Sequence, residues 1–268
     1  MNAPIDSVAG ADRYEFGENW SRFLRHLNDE QIADAEESLR QFLGVESLQG
    51  KRFLDAGSGS GLFSLAARRL GATVHSFDYD PMSVRCTTEL RQRYFPNDPQ
   101  WRVERGSVLD RNYLASLGKF DVVYSWGVLH HTGSMWDAMD AVVAPLTSGG
   151  KLFVALYNDQ GTISRYWTAV KSAYNRFRAL RPLIVAFHAP YLIFGRWLAW
   201  KIKGTARKQR GMRVLTDAYD WLGGYPFEVA TPDAVVTFYR ERGLAAQRVQ
   251  SCGRRAGCNE FVFARGEA

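Results

Sequence analysis

The sequence predicts an α/β protein built on a parallel sheet whose strands are linked by crossover helices. Three observations predict it. Residues 51 to 157 alternate β-like and helix-like stretches. A dense glycine turn, Gly57-Ser58-Gly59-Ser60-Gly61, separates the first of those strands from the first of those helices. With 268 residues and 46% hydrophobic content, the chain suits one domain with elaborations, large enough to enclose a full α/β core.

The elements follow in order. Tyr14 to Phe42 reads as helical, with Tyr14, Phe16, Trp20 and Phe23 as its aromatic residues. The first strand is Arg52 to Asp55, followed by a helix from Leu62 to Leu70 that Gly71 closes. The second strand, Thr73 to Phe77, ends at Asp78; Asp80-Pro81 is a start signal for a helix reaching Tyr94. The third strand lies near Trp101 to Glu104, before Gly106, and the fourth spans Phe120 to Ser125. A helix near Met135 to Ala144 follows, then Pro145 and Gly149-Gly150 break the pattern before a fifth strand, Lys151 to Tyr157. Near the end, Thr231-Pro232-Asp233 opens a helix to about Arg242, with Gly243 as its stop. Two β-runs, Ala245 to Gln250 and Asn259 to Ala264, flank a basic turn. The chain thus divides into an N-terminal helical cap (1–50), a core (51–159), a basic aromatic insertion (160–225) and a C-terminal helix and hairpin completing the core (226–268).

Cys86, Cys252 and Cys258 make no paired framework, and no Cys/His cluster has zinc spacing. Met1 to Glu18 lacks the basic-then-apolar pattern of a secretion signal, so a cytoplasmic protein is expected. The net charge of +6 is unevenly spread: from Gln160 to Thr216 there are twelve Lys/Arg and no Asp or Glu, which leaves the rest of the chain net acidic. The basic character belongs to the insertion and is no evidence that the core binds nucleic acid.

A glycine turn of this kind lets backbone approach a ligand and feeds it onto a helix N-terminus. The dinucleotide fingerprint fails, because counting from Gly57 its sixth position is Leu62 instead of glycine. Acid-x-Gly-x-Gly-x-Gly, as Asp55 to Gly61, resembles motif I of the class I S-adenosylmethionine-dependent methyltransferases. Gly106 to Asp110 resembles that family's motif III loop, and Phe120 to Ser125 with Val128-Leu129-His130-His131 resembles its motif IV and the turn beyond. The order of motifs is similar to that of ubiquinone-pathway and small-molecule O-methyltransferases. The resemblance implies a Rossmann-like sheet of seven strands, mostly parallel with an antiparallel last strand, and S-adenosyl-L-methionine as cofactor, released as S-adenosyl-L-homocysteine. It implies that Gly57, Ser58, Gly59 and Gly61 form the donor turn, with Asp55 holding the methionine ammonium. Asp78, 21 residues after Gly57, is placed for the ribose hydroxyls, or else caps the next helix; Tyr79 is placed against the adenine. Many relatives carry Asp where Ser107 stands, so the adenine contact falls to Ser107 or the Val108 backbone. Ser125 and Trp126, at the end of the fourth strand, complete the expected cofactor set.

Methyl transfer from a sulfonium is an in-line displacement, for which positioning alone can supply roughly 7–11 kcal/mol. A hydroxyl or ammonium acceptor also needs a base, and histidine titrates in the right range. His130 and His131 stand beyond the fourth strand; at most one faces the site, with His130 the favoured base and the other packing the turn. Tyr157 is a candidate for orienting the nucleophile, while Asn158 and Asp159 read either as site residues or as a turn leading to Gly161. An Asn-Pro-Pro-Tyr motif for nucleic-acid amino groups is absent after the fourth strand, and no metal site is expected.

The insertion interleaves its cations with Tyr166, Trp167, Tyr174, Phe177, Phe187, Tyr191, Phe194, Trp197 and Trp200. It reads as a helical lid with a basic outer face, as a membrane-surface element over Leu183 to Trp200, or as a groove for a polyanion, in that order. Pro182, Pro190, His188 and Arg196 argue against a spanning helix. The acceptor expected is a small or lipid-like molecule, with oxygen slightly favoured as nucleophile and peripheral membrane contact through the basic lid. Nucleic acid is disfavoured. A tRNA methyltransferase and a non-catalytic protein docking on membrane or RNA are the alternatives. Asp220 to Glu228 is expected either to line the substrate pocket or to form a packed turn, and oligomeric state is left open.

Overall fold

The computed structural model describes residues 17–188, 222–253 and 257–266. Tyr14 and Phe16, the insertion from 189 to 221 with Tyr191, Phe194, Trp197 and Trp200, and the basic turn at 254–256 lie outside the described residues.

The cap comprises α1 (Gly17–Leu24) and α2 (Asp29–Leu43). Between them Asn28 caps α2 reciprocally with Gln31, satisfying two backbone N–H groups and starting a new helix at that point. The core then runs β1 (Arg52–Ala56), α3 (Leu62–Arg69), β2 (Thr73–Asp78), α4 (Pro81–Tyr94), β3 (Trp101–Arg105), α5 (Arg111–Ser116), β4 (Phe120–Trp126), a 3₁₀ turn at Leu129–His131, α6 (Met135–Ala141) and β5 (Leu146–Tyr157). The insertion contributes α7 (Thr162–Arg176), a short 3₁₀ turn and further helix over 181–188. The tail adds α8 (Pro232–Arg240), β6 (Leu244–Gln250) and β7 (Cys258–Arg265).

Seven strands form one sheet in the order β3-β2-β1-β4-β5-β7-β6. Strands β1 to β5 pair in parallel, while β7 runs antiparallel to both β5 and β6. The central strands are buried on both faces, so neighbouring residues serve opposite layers. Phe53, Val74, Tyr124 and Phe153 pack beneath α1 to α4, with Ile32, Leu39, Leu65 and Leu90. Leu54, Phe77, Val123 and Val154 pack on the other side against α5, α6 and α8, with Leu114, Met139, Val235 and Tyr239.

Two expectations are corrected. Pro145 and Gly149-Gly150 do not delay the fifth strand to Lys151: β5 begins at Leu146, pairing with Phe120, and regular pairing resumes at Lys151 opposite Val122. The intervening residues bulge, with Gly149 at φ 69° and the Thr147 hydroxyl bonded to the Phe120 carbonyl. The chain from Asp110 to Lys119 also holds a helix that the pattern did not reveal, α5, capped by the Asp110 side chain on the Tyr113 N–H.

Strand order reverses between β1 and β4, so the crevice for a ligand lies at their carboxyl ends. The glycine turn leaves one of those ends and the histidine pair leaves the other.

Candidate active site

The turn after β1 is held by backbone bonds from Gly57 and Ser58 to the Phe77 carbonyl, at 2.9 and 3.0 Å. Gly57 has φ 90°, and a Cβ there would lie 2.4 Å from a Val128 methyl. Gly61, at φ 81°, passes so close to α4 that a Cβ would lie 2.9 Å from the Thr87 backbone. Glycine is therefore demanded twice at each position, by dihedral and by space. Trp20 of α1 lies against Gly59, the one aromatic of the predicted N-terminal set that the described residues bring to the turn.

Asp78, at the end of β2, accepts from the Gly59 N–H and the Asp80 N–H, each at 2.9 Å. Its carboxylate thus sits beside the glycine turn, while the capping role that was its alternative belongs to Asp80, which accepts from the Met82 N–H. Tyr79 follows directly, with the Arg105 guanidinium over its ring at 5.4 Å. Ser107 and Val108 form the loop after β3, where the Ser107 hydroxyl accepts from the Leu109 N–H.

Asp55 is 2% exposed and turns beneath α3, where the Ser64 hydroxyl donates to it at 2.5 Å. Trp101 Nε1, which can only donate, bonds to Ser76 Oγ, and Ser76 Oγ bonds to Ser64 Oγ. Ser64 spends its hydrogen on Asp55, so Ser76 donates to Ser64 and Asp55 is the terminal acceptor of the chain. Burial, opposed by Ser64 and reinforced by Asp78, raises the Asp55 carboxyl to about 7. Ser125 is fully buried with its hydroxyl on the Ala56 carbonyl at 2.8 Å, and Trp126 donates to Glu260 at 2.7 Å. Both side chains bind protein at the strand ends: Ser125 ties β4 to β1, and Trp126 ties β4 to β7.

His130 and His131 stand next to one another in the 3₁₀ turn, ring centroids 4.4 Å apart. His130 is 0% exposed; its Nδ1 accepts from the Tyr157 backbone N–H at 3.3 Å, and its ring lies 4.0 Å from the Tyr157 ring. Burial drives its pKa well below the usual histidine range, and the charges of His131 and Lys171 push it the same way. A neutral ring whose Nδ1 accepts carries its hydrogen on Nε2, so His130 presents a donor. His131 has the opposite arrangement: its Nδ1 lies 2.6 Å from the Pro226 carbonyl oxygen, to which it must donate, which makes Nε2 the basic nitrogen of the neutral ring. The two rings thus present opposite groups: His130 a donor and His131 an acceptor at Nε2.

The segment before α8 meets this site. Phe227 packs against the Tyr157 ring at 4.9 Å, the Glu228 N–H bonds to the His130 carbonyl, and the Glu228 carboxylate accepts from the Met135 N–H at the start of α6. Asp159 accepts from the Gly161 N–H, which makes Asn158-Asp159 a turn, as one of its two readings held.

Lys171 was missed as a site residue. It is 0% exposed on α7, with its ammonium 4.7 Å from the Phe227 ring centroid. The signal was available: Trp167, Lys171 and Tyr174 fall at helical spacing on the buried stripe of α7. Elsewhere, a cavity of about 610 Å³ opens at the amino ends of β1 and β2, lined by Arg52, His75, Arg102, Glu104 and Tyr113 among others. It faces away from the glycine turn. Among the described residues no three His, Cys, Asp or Glu side chains group as metal ligands, and no helix is long and apolar enough to cross a membrane.

The profile of the methyltransferase-domain family matches residues 23–192, more than half of the chain, and the protein belongs to that family. It is similar to the tRNA U34 carboxymethyltransferase of Pseudomonas syringae pv. tomato, 37% identical over 107 residues, covering 39% of this chain and 32% of that protein. It is also similar to the ubiquinone biosynthesis O-methyltransferase of Brucella ovis, 33% identical over 127 residues, covering 47% and 48%. The chain therefore spans about a third to about half of the length of the curated relatives it matches. Among solved structures, the fold is similar to magnesium protoporphyrin IX methyltransferase from Synechocystis PCC 6803 with bound SAH, at TM-score 0.53 and 15% identity over 88% of this chain and 83% of that one. It is likewise similar to PKMT2 from Rickettsia typhi in complex with AdoHcy, at TM-score 0.56 and 14% identity, covering 86% and 52%.

Proposed function

We propose that the protein is an S-adenosyl-L-methionine-dependent methyltransferase acting on a small or lipid-like acceptor through an oxygen nucleophile. The observation that carries this reading is the glycine turn locked to Asp78 at the switch point, directly across from the histidine pair. The turn fits the donor: Gly57 and Gly61 leave no side chain between backbone and crevice, and Asp78 offers a carboxylate beside it. Gly57, Ser58, Gly59 and Gly61 would cradle the donor, with Asp78 toward the ribose, Tyr79, Ser107 and Val108 toward the adenine, and Asp55 beneath the turn. When bound, the donor supplies an electrophilic methyl on a positively charged sulfur.

The chain's own residues do the rest. His131 takes the acceptor's proton at Nε2, oriented by the Pro226 carbonyl on Nδ1. Tyr157, clamped between His130 and Phe227, walls the acceptor side. Large apolar residues on the insertion are exposed, Ile163 at 54%, Leu183 at 68% and Phe187 at 76%, beside Arg165, Arg176, Arg178 and Arg181. Apolar exposure with flanking cations supports a lipid surface over an RNA groove, and with it peripheral membrane contact.

Isothermal titration with S-adenosylmethionine, followed by a search for S-adenosylhomocysteine release in the presence of lipid extract, tests the reading. Binding with product release is expected, and His131→Gln should slow turnover by roughly 10²–10⁴-fold while leaving donor affinity in place. A folded protein that ignores the donor at about 1 mM refutes it. Binding without release on any extract would favour a non-catalytic role, and release only on tRNA would favour the RNA acceptor.

A further inference from the structure

The cavity of about 610 Å³ at the amino ends of β1 and β2 has a wall chemistry of its own. Glu104 of β3 is the one acid among the described residues that line it, and its carboxylate is already filled. Oε1 accepts from the Tyr113 hydroxyl at 2.8 Å and lies 3.0 Å from His75 Nε2, while Oε2 takes the Arg102 guanidinium at 2.5 Å. Two arginines of the wall keep donors in hand. Arg102 leaves 68% of its side chain exposed beyond its contact with Glu104. Arg52 forms no ion pair among the described residues; its guanidinium lies 4.5 Å from the Phe120 ring centroid, and one of its five N–H groups, on Nη2, donates to the Leu117 carbonyl. The two guanidinia belong to one place, because the Phe120 ring beneath Arg52 stands 6.1 Å from the His75 ring, and His75 and Arg102 share Glu104. Burial lowers the His75 pKa, and the charges of Arg102 and Arg52 add to that against the pull of Glu104. A wall of unused N–H donors with surplus positive charge and its acid saturated selects an oxyanion. The volume falls within the roughly 300–1,000 Å³ of small-molecule sites, more than a bare anion fills, so the anion carries an organic body.

We propose that this cavity binds a small organic phosphate, with the phosphate group between Arg52 and Arg102 and the apolar body against Tyr113 and Leu117. The spread of the donors favours phosphate over carboxylate. Arg52 and Arg102 stand on β1 and β3 with β2 between them, and neighbouring strands lie about 4.7–4.9 Å apart, so the two guanidinia approach from different sides. A planar carboxylate presents one edge to one guanidinium, whereas the three oxygens of a phosphate diverge and can meet two. A phosphomonoester also brings about −1.5 to −2 of charge near pH 7 to a wall whose own acid is neutralised. The site is separate from the donor crevice and independent of the methyltransferase reading.

Phenyl phosphate is the probe, with benzoate as the carboxylate, phenol as the uncharged body and inorganic phosphate as the bare anion. Protein labelled at histidine is titrated with each by NMR, which reports the His75 ring apart from His26, His130, His131 and His188. Phenyl phosphate is expected to move the His75 signals with a Kd below about 1 mM, and to bind at least roughly tenfold more tightly than the other three. Arg102→Gln should weaken it about fivefold, as suits an exposed charge, and Arg52→Gln about tenfold or more. Arg240→Gln, at an exposed position of α8, should leave binding unchanged. Urea midpoints check the fold of each variant, and the Arg102→Gln result decides alone should Arg52→Gln not fold. A silent His75 at about 5 mM phenyl phosphate, or movement confined to His130 and His131, which would put the anion in the donor crevice, overturns the proposal. So does equal binding of benzoate, phenol or inorganic phosphate, an Arg102→Gln protein that binds as the parent does, or an Arg240→Gln protein weakened as much as Arg102→Gln.

Discussion

Replacing Asp55 by asparagine removes one buried carboxyl while keeping an oxygen to accept from Ser64. In the folded protein that carboxyl is raised from 3.8 to about 7, chiefly by burial. Because the folded-state value is raised, the unfolded chain ionises first as pH rises, and the native state loses stability between those two values. The full loss is roughly 4 kcal/mol, at about 1.36 kcal/mol per pH unit. Between pH 5 and pH 8 the portion incurred is about 2.6 kcal/mol, since part has already been spent below pH 5 and none follows far above 7. Urea unfolding followed by tryptophan fluorescence at both pH values measures it. The stability of Asp55→Asn relative to the parent should improve by that amount from pH 5 to pH 8, and the double difference cancels every other titrating group. Equal slopes for the two proteins would refute the buried, protonated Asp55. Donor binding adds a second readout. If Asp55 also receives the methionine ammonium, binding near pH 6.5 ionises it, and heats measured in two buffers of different ionisation enthalpy will show a released proton in the parent only.

Three further outcomes are expected. Asp78→Asn should weaken S-adenosylmethionine binding by about 10- to 100-fold, the worth of a hydrogen bond to a charged group, with titration calorimetry as the check. Gly57→Ala forces a left-handed alanine against Val128 and should cost about 2–4 kcal/mol in urea unfolding together with most donor affinity. Leu183→Ser combined with Phe187→Ser removes two exposed apolar groups from the insertion and should reduce flotation with anionic vesicles at least roughly tenfold. Unchanged flotation would argue that those residues do not meet lipid.

Much of this architecture was legible in the chain because the central strands are buried on both faces. Burial of that kind writes continuous apolar runs ending in an acid or a glycine, and β1, β2 and β4 end within a residue of where those runs stop. Helix α5 was illegible because six residues make fewer than two turns, too few for a period to show. The start of β5 was hidden by a glycine pair that reads as a break and is accommodated as a bulge. The site divides in the same way. The donor turn is local, so its glycines and Asp78 announce themselves. The roles of the histidines are not local: the Tyr157 N–H that selects the His130 tautomer and the Pro226 carbonyl that selects that of His131 lie 27 and 95 residues away in sequence. Lys171 was masked by its company, since a count of twelve cations treats them alike, whereas its place between Trp167 and Tyr174 puts it inside.

The contact between Gly57 and Val128 joins the two halves of the proposed site. Val128 immediately precedes the 3₁₀ turn that carries both histidines, and its side chain occupies the space a Cβ on Gly57 would need. The ends of the flanking strands are pinned as well, β1 to β2 through the Phe77 carbonyl and β1 to β4 through the Ser125 hydroxyl on Ala56. Donor turn and histidine turn are therefore registered by direct contact, with no flexible side chain between them. In-line displacement requires reacting atoms held about 3–3.5 Å apart and aligned, and tolerates little looseness. A glycine at this position thus serves two ends at once: it leaves the crevice open to backbone contacts and lets the donor turn pack directly on the turn that carries the histidines. That dual demand accounts for a glycine at φ 90° where an asparagine could have satisfied the dihedral but not the space.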